Sequence, residues 1–269
     1  MDQKSHAVDA LAEDGPKRSL KHQTSPEIAQ SPFEGSTFPL FSGRCVSLPF
    51  SQLMATEIYE GGSVVVPEEL EGRVEVVELE DGVEVAVTSK VSDLDVKADT
   101  GTTTAIAGKK VADSSVGAKA EEGDVTTVVF QTTKVNDTDI TVKGKGAGDI
   151  QVNTGRFNNS SITFKKKSND SVEFNNGVEV RNATIDGGKG ADTITFKENA
   201  AIKGTNEITL GQGRDVLELP ANKTGKGSIV VTDLQNKDTI KIGDTEYSGR
   251  DILNGDVELP DYITIQGLD

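Results

Sequence analysis

The chain has 269 residues, a hydrophobic fraction of 34%, 28 glycines, no tryptophan and a formal net charge of −16. So thin an apolar share disfavours one spherical core, and the glycine content with little helix-period patterning predicts short strands joined by turns. The acidity argues against nucleic acid and anionic membranes as partners, because a phosphate-binding surface needs clustered Lys and Arg, and leaves cations as natural ones.

Residues 1–53 hold both histidines (His6 and His22), the single cysteine, Cys45, and five of the eight prolines, without a sustained period of either kind. They read as a disordered N-terminal leader. Because Met54 stands where the composition changes, an upstream extension of doubtful translation is the alternative. One cysteine excludes an internal disulfide framework and a cysteine-based zinc cluster. No apolar run approaches the roughly 20 residues that cross a bilayer, and the first residues lack the pattern of a secretory signal peptide. Membrane insertion is therefore not expected, and any export would be independent of a signal peptide. Residues 54–125 form a β-rich N-terminal region or cap: Val74–Val87, "VEVVELEDGVEVAV", alternates with the period of a half-buried strand.

Residues 126–269 carry an internal repeat. One inward position recurs as Val128, Ile150, Val172, Ile194, Leu217, Ile240 and Ile263, with steps of 22, 22, 22, 23, 23 and 23. Its partner two residues on reads Phe130, Val152, Phe174, Phe196, Leu219, Ile242 and Ile265. A second strand per repeat is marked by Ile140, Ile162, Ile185 and Ile208, continuing less regularly through Ile229 and Ile252. A period of 22–23 residues that returns the chain to the same column predicts an all-β fold, a parallel β-solenoid with a C-terminal cap. An antiparallel sandwich shares the short strands but predicts no columns of constant step.

Two residues before the inward position stand Asp170, Asp192, Asp215, Asp238 and Asp261, with Asp149 displaced by one. Carboxylates one strand spacing apart repel. Either these side chains turn to cap their own turns, or cations lie between neighbouring coils. Glycines precede Asp192 (Gly187, Gly188, Gly190) and Asp215 (Gly211, Gly213), where the backbone could aim carbonyls at a shared centre. Gly188, Gly190, Asp192, Gly211, Gly213 and Asp215 are accordingly the candidate metal ligands, since calcium takes six to eight oxygens. The turns ahead of Asp170 and Asp238 lack the glycines and read as structural.

The stretch Gly187–Thr195, "GGKGADTIT", resembles the nonapeptide of RTX, or haemolysin-type, calcium-binding repeats, Gly211–Glu218 matches most of it, and Ser228–Gly243 is similar to the strand that closes such arrays. The resemblance spans roughly residues 144–269. It implies calcium held between coils, export in one step by a type I secretion system and calcium-dependent folding outside the cell. The chain departs from the family in carrying one glycine turn per 22–23 residues instead of two nonapeptides per coil of 18.

Both histidines lie in the leader, which removes His-assisted nucleophiles and multi-His zinc sites from the repeats. A carbohydrate-active β-helix enzyme could still draw on acid pairs such as Asp170 with Glu173, but the chain offers no tryptophan and three tyrosines to stack on sugars. The basic cluster Lys165, Lys166 and Lys167 reads as blunting an exposed edge or loop, with attraction of an anionic glycan as the alternative. Asn-x-Ser/Thr triplets at Asn136, Asn159, Asn182 and Asn222 follow from composition. The expectation is a non-enzymatic, acidic, extracellular structural or adhesive β-solenoid stabilised by calcium, with a virion fibre, spike or decoration subunit as the alternative. The partners it admits are Ca2+, a cell-surface glycan, other structural subunits or a second copy of the chain.

Overall fold

A computed structural model describes residues 55–59, 62–66, 72–79, 82–165 and 167–268; the expected leader, residues 1–53, lies outside them. Within the unit Ser51–Asp269 the chain winds as a parallel β-solenoid of about seven turns. Each complete coil contributes three short strands. In the coil of residues 147–165 these are Ala147–Val152, Arg156–Asn158 and Ser161–Lys165. Two coils earlier the first two are still one long strand, Thr103–Ala112, and its successor Val125–Asn136 likewise runs through both positions. First and second strands therefore belong to one 14-stranded sheet, and third strands to a separate 10-stranded sheet.

The expected columns are hydrogen-bonded neighbours. Val128, Ile150, Val172, Ile194, Leu217 and Ile240 oppose one another in successive parallel pairs. The column also runs backwards through Thr104 to Val83, so parallel winding starts at Gly82, ahead of the boundary expected at residue 126. The repeat was hard to see there because Thr104 interrupts the apolar series and the local steps are 21 and 24. The interior is filled by stacked like residues. Phe157 meets Phe174 edge-on at 5.4 Å between centroids, and Phe174 stacks on Phe196 at 4.8 Å. All three rings are buried, and such pairs add about 0.5–1.5 kcal/mol beyond the area they bury.

The second strand of each coil builds a column that the sequence reading did not separate: Val91, Val111, Val135, Phe157, Val180 and Ile202. The third-strand column begins as expected with Ile140, Ile162, Ile185 and Ile208 but continues through Val231 and Ile265, not through Ile229 and Ile252. Ile229 opposes the buried Asn206, and Ile252 is in the helix Gly249–Leu253. Ile263 and Ile265 likewise leave the first-strand column, because the chain reverses after Ile242. The strand Thr245–Ser248 pairs antiparallel with Thr239–Ile242, the short helix follows, and only then does Ile263–Ile265 join the third-strand sheet beside Ser228–Val231. That reversal is the C-terminal cap.

The other end is also closed by antiparallel pairing. Ala55–Tyr59 and Gly62–Val66 form a hairpin on Asp95–Ala98, while Val74–Leu79 pairs with Gly82–Val87. Open parallel edges template further strands; at this end both sheets finish in antiparallel strands, whereas at the C-terminal end the 14-stranded sheet does so and the 10-stranded sheet ends in the parallel strand Ile263–Ile265.

Candidate functional site

The turn that leads from a third strand into the next first strand holds the aspartate column. Asp170, Asp192, Asp215 and Asp238 are all buried, and each points its Oδ1 at the coil before. Gly148 N–H donates to Asp170 at 2.7 Å, Asp170 N–H to Asp192 at 2.8 Å, Asp192 N–H to Asp215 at 2.8 Å and Asp215 N–H to Asp238 at 3.2 Å. Charge-assisted bonds of this kind are the stronger class and satisfy amides that the turn would otherwise leave unpaired. Each of these carboxylates is thus a rung between coils, and Asp238 caps its own turn as well. Gly148 occupies the column, which is why Asp149 is displaced by one; it faces outward and accepts from Ser171 Oγ at 2.6 Å. Asp261, expected as the last member, is exposed, because the reversal after Ile242 has already ended the ladder.

Glycine at these turns answers to steric approach. A Cβ on Gly213 would lie 1.4 Å from the carbonyl oxygen of Gly190, one on Gly190 would lie 1.9 Å from that of Ser168, and one on Gly211 would lie 2.1 Å from that of Gly188. The repeated glycines let one turn settle on the backbone of the last. Gly190 and Gly213 are paired directly in the small parallel sheet of Lys189–Gly190 with Gln212–Gly213.

This stacking decides what the turn can offer a cation. The Gly188 carbonyl already accepts the N–H of Gln212 at 2.9 Å, and the Gly211 carbonyl accepts from Gln235 Nε2. The amides of Leu210 and Gly211 are taken by Asp233 at 2.7 and 2.9 Å. Gly188, Gly190, Asp192, Gly211, Gly213 and Asp215 are therefore brought together as predicted, but as a hydrogen-bonded stack. No cluster of three or more acidic, His or Cys side chains is placed to hold a metal among the described residues.

Asp215 Oδ2 is buried and has no hydrogen-bond partner, whereas Asp238 Oδ2 accepts the Gln235 N–H at 2.7 Å. Burial accordingly pushes the Asp215 carboxyl up to about 6, helped by the charges of Asp238 and Asp233 and opposed by the Asp192 N–H and Lys237. Asp238 is raised for the same first reason. Asp215 is thus a proton-binding position inside the stack.

Two further ladders escaped the sequence reading. At the turn between second and third strands, Asp93, Asp113, Asp137, Asn159, Asn182 and Gly204 all adopt left-handed backbone with φ between 47° and 62°, which Asn, Asp and Gly tolerate best. Asn182 Nδ2 donates to Asn159 Oδ1 at 3.0 Å, and Asn159 Nδ2 to Asp137 Oδ1 at 3.2 Å. One residue on, Ser114, Thr138 and Ser160 are buried. Ser160 Oγ donates to the Asn158 carbonyl and accepts the Thr138 N–H, so its hydroxyl ties two coils together. The available signal was the spacing of Asp113, Asp137, Asn159, Asn182 and Gly204 by 24, 22, 23 and 22. It was hidden because two of these residues also fit a glycosylation triplet.

The acid pair considered for glycosidic chemistry is separated. Asp170 points into the stack, while Glu173, three residues on, faces out and pairs with Lys197 at 2.9 Å. Comparison with protein families, curated proteins and solved structures returns no match.

Proposed function

We propose that this protein is a non-enzymatic structural or adhesive module, a self-supporting β-solenoid spacer for an extracellular or virion surface. The observation that carries this reading is the continuity of the inter-coil ladders. Aspartate, hydroxyl and asparagine side chains each bond a backbone or side-chain group of the neighbouring coil, around an interior of stacked aliphatic and aromatic residues. A coil alone cannot offset the ordering of its backbone, at about 1–2 kcal/mol per residue. Stacking makes stability cooperative along the axis, and antiparallel strands close both sheets at the N-terminal end and the 14-stranded sheet at the C-terminal end. Such an object holds a fixed length without a partner.

Calcium, implied by the RTX resemblance, is left out of this reading because amides of the preceding coil already hold the Oδ1 atoms of the aspartate column. The test is thermal unfolding of the full chain with chelator and with added calcium, alongside fractionation of the producing culture. The reading expects one cooperative transition at the same temperature in both solutions, and protein in the medium or in purified particles. Unfolding by chelator would restore the ion to the stack, and recovery solely with cytosolic contents would end the surface role.

A further inference from the structure

One corner of the solenoid is charged against the sign of the whole chain. At the end of the third strands, Lys143 lies between Lys119 and Lys165, paired in register with both. Around the corner Lys167 forms an isolated bridge with Lys189. All five side chains are exposed, and the ridge climbs the axis at about 4.8 Å per strand. Lys119 is paired with Glu121 at 2.9 Å. Lys143, Lys165, Lys167 and Lys189 have no ion-pair partner within 4.0 Å among the described residues.

Edge protection does not explain them. Lysines blunt strands at the open margin of a sheet, whereas this ridge sits in the middle of the ladder with coils above and below. Like charges directly opposite each other destabilise a sheet. Elsewhere the chain answers stacked charges with opposite ones: Lys197 reaches Glu173 at 2.9 Å, Lys203 reaches Glu179 at 2.7 Å and Lys241 reaches Glu218 at 3.5 Å. A second basic column, in which Lys110 opposes Lys134 and Arg156 follows, ends on Glu179, 3.9 Å from Arg156. The lysine ridge meets an acid at Lys119 alone among the described residues and runs on unanswered through Lys143, Lys165, Lys167 and Lys189.

Beside it runs a groove of about 560 Å³ whose polar lining includes Thr163, Lys165, Lys167, Lys189, Thr209 and Gln212. The one acid there, Asp186, already accepts the Gly188 N–H at 3.0 Å. We propose that this ridge and groove bind a linear acidic polysaccharide, with lysines meeting its carboxylate or sulfate groups and Thr163, Thr209 and Gln212 its hydroxyls. A linear polymer suits a linear ridge. Nucleic acid suits it less, because Phe164, the aromatic residue of the groove, is buried and offers no ring for unpaired bases to stack on. This inference supplies a ligand class for the adhesive side of the proposed role and rests on that reading for its setting alone.

The experiment titrates the full chain against fluorescent heparin (sulfated), polygalacturonate (carboxylated), dextran (neutral) and duplex DNA. It compares wild type with Lys143→Gln/Lys165→Gln/Lys189→Gln and with the control Lys110→Gln/Lys134→Gln. Wild type is expected to bind at least one acidic polysaccharide and not dextran, with affinity that falls as salt rises. The triple variant should lose about tenfold or more and the control less than about threefold, as expected for discrete charge contacts. Single Lys143→Gln and Lys165→Gln variants, each losing part of the affinity, keep the test intact if the triple variant folds poorly. Failure to bind either acidic polymer, equal loss in the control, binding of dextran, or tighter binding of DNA would overturn the assignment. Melting curves of the same samples read the structural role separately, so a stable stack that binds no polysaccharide removes the ridge proposal and leaves the spacer standing.

Discussion

Asp215→Asn separates a proton-holding stack from an ion-holding one. In the folded chain the carboxyl titrates at about 6 against an ordinary value of 3.8, so between these pH values the native state keeps a proton that the unfolded chain has lost. Stability contributed by this group is complete below about 3.8 and is lost as pH rises through about 6. At about 1.4 kcal/mol per tenfold in affinity, the contribution reaches up to about 3 kcal/mol, or several degrees in Tm for a domain of this size. Asp238, raised in the same direction, adds to the slope. The amide of Asn keeps an oxygen for the Asp192 N–H and removes the charge, while its NH2 replaces the unpartnered Oδ2 at a cost of about 1–3 kcal/mol. The two effects nearly cancel at pH 7.5. Urea unfolding at pH 4.5 and 7.5 in chelator should therefore show the variant within about 1 kcal/mol of wild type at the higher pH. It should be weaker at the lower pH, its own pH slope flattened. A variant that keeps the wild-type slope would refute the assignment of the proton to Asp215. A wild-type midpoint that rises with calcium, and a variant that does not respond, would show that a cation fills the position instead.

Gly213→Ala should cost at least about 3 kcal/mol, because its Cβ would lie 1.4 Å from the Gly190 carbonyl and push two coils apart. Gly177→Ala meets nothing within 4 Å at φ +83° and should cost only the left-handed penalty of about 1–2 kcal/mol; equal losses in chemical denaturation would contradict the steric account. Asn182→Ala removes the donor to Asn159 and the acceptor for Thr205 N–H at a left-handed position. It should lower stability by about 1–2 kcal/mol at this exposed turn, and Asn182→Gly by less, as read from paired thermal melts.

Much of the fold was legible because a solenoid writes its geometry as a period. Residues one coil apart share one environment, so Val128 to Ile240 at steps of 22 or 23 reveal the stack before any coordinate is known. The second-strand column was missed where Thr103–Ala112 and Val125–Asn136 run through two strand positions without a break. At the C-terminus the spacing misled. Ile263 keeps the period of 23 by coincidence, because a reversed strand and a helix happen to consume about one coil of chain.

By itself the sequence determined the all-β class, the repeat length and the apolar and aspartate columns, since these follow from side-chain type at fixed spacing. Tertiary structure alone decided what the aspartates and glycines do there. Whether a carboxylate faces a cation or a neighbouring amide depends on where the N–H of the previous coil points, and whether a glycine serves a ligand or a backbone contact depends on the distance between turns. Neither quantity is encoded in residue identity one coil at a time. The lysine ridge follows the same logic: Lys119, Lys143 and Lys165 are ordinary surface residues in the chain, and only the register of three coils makes them one line of charge.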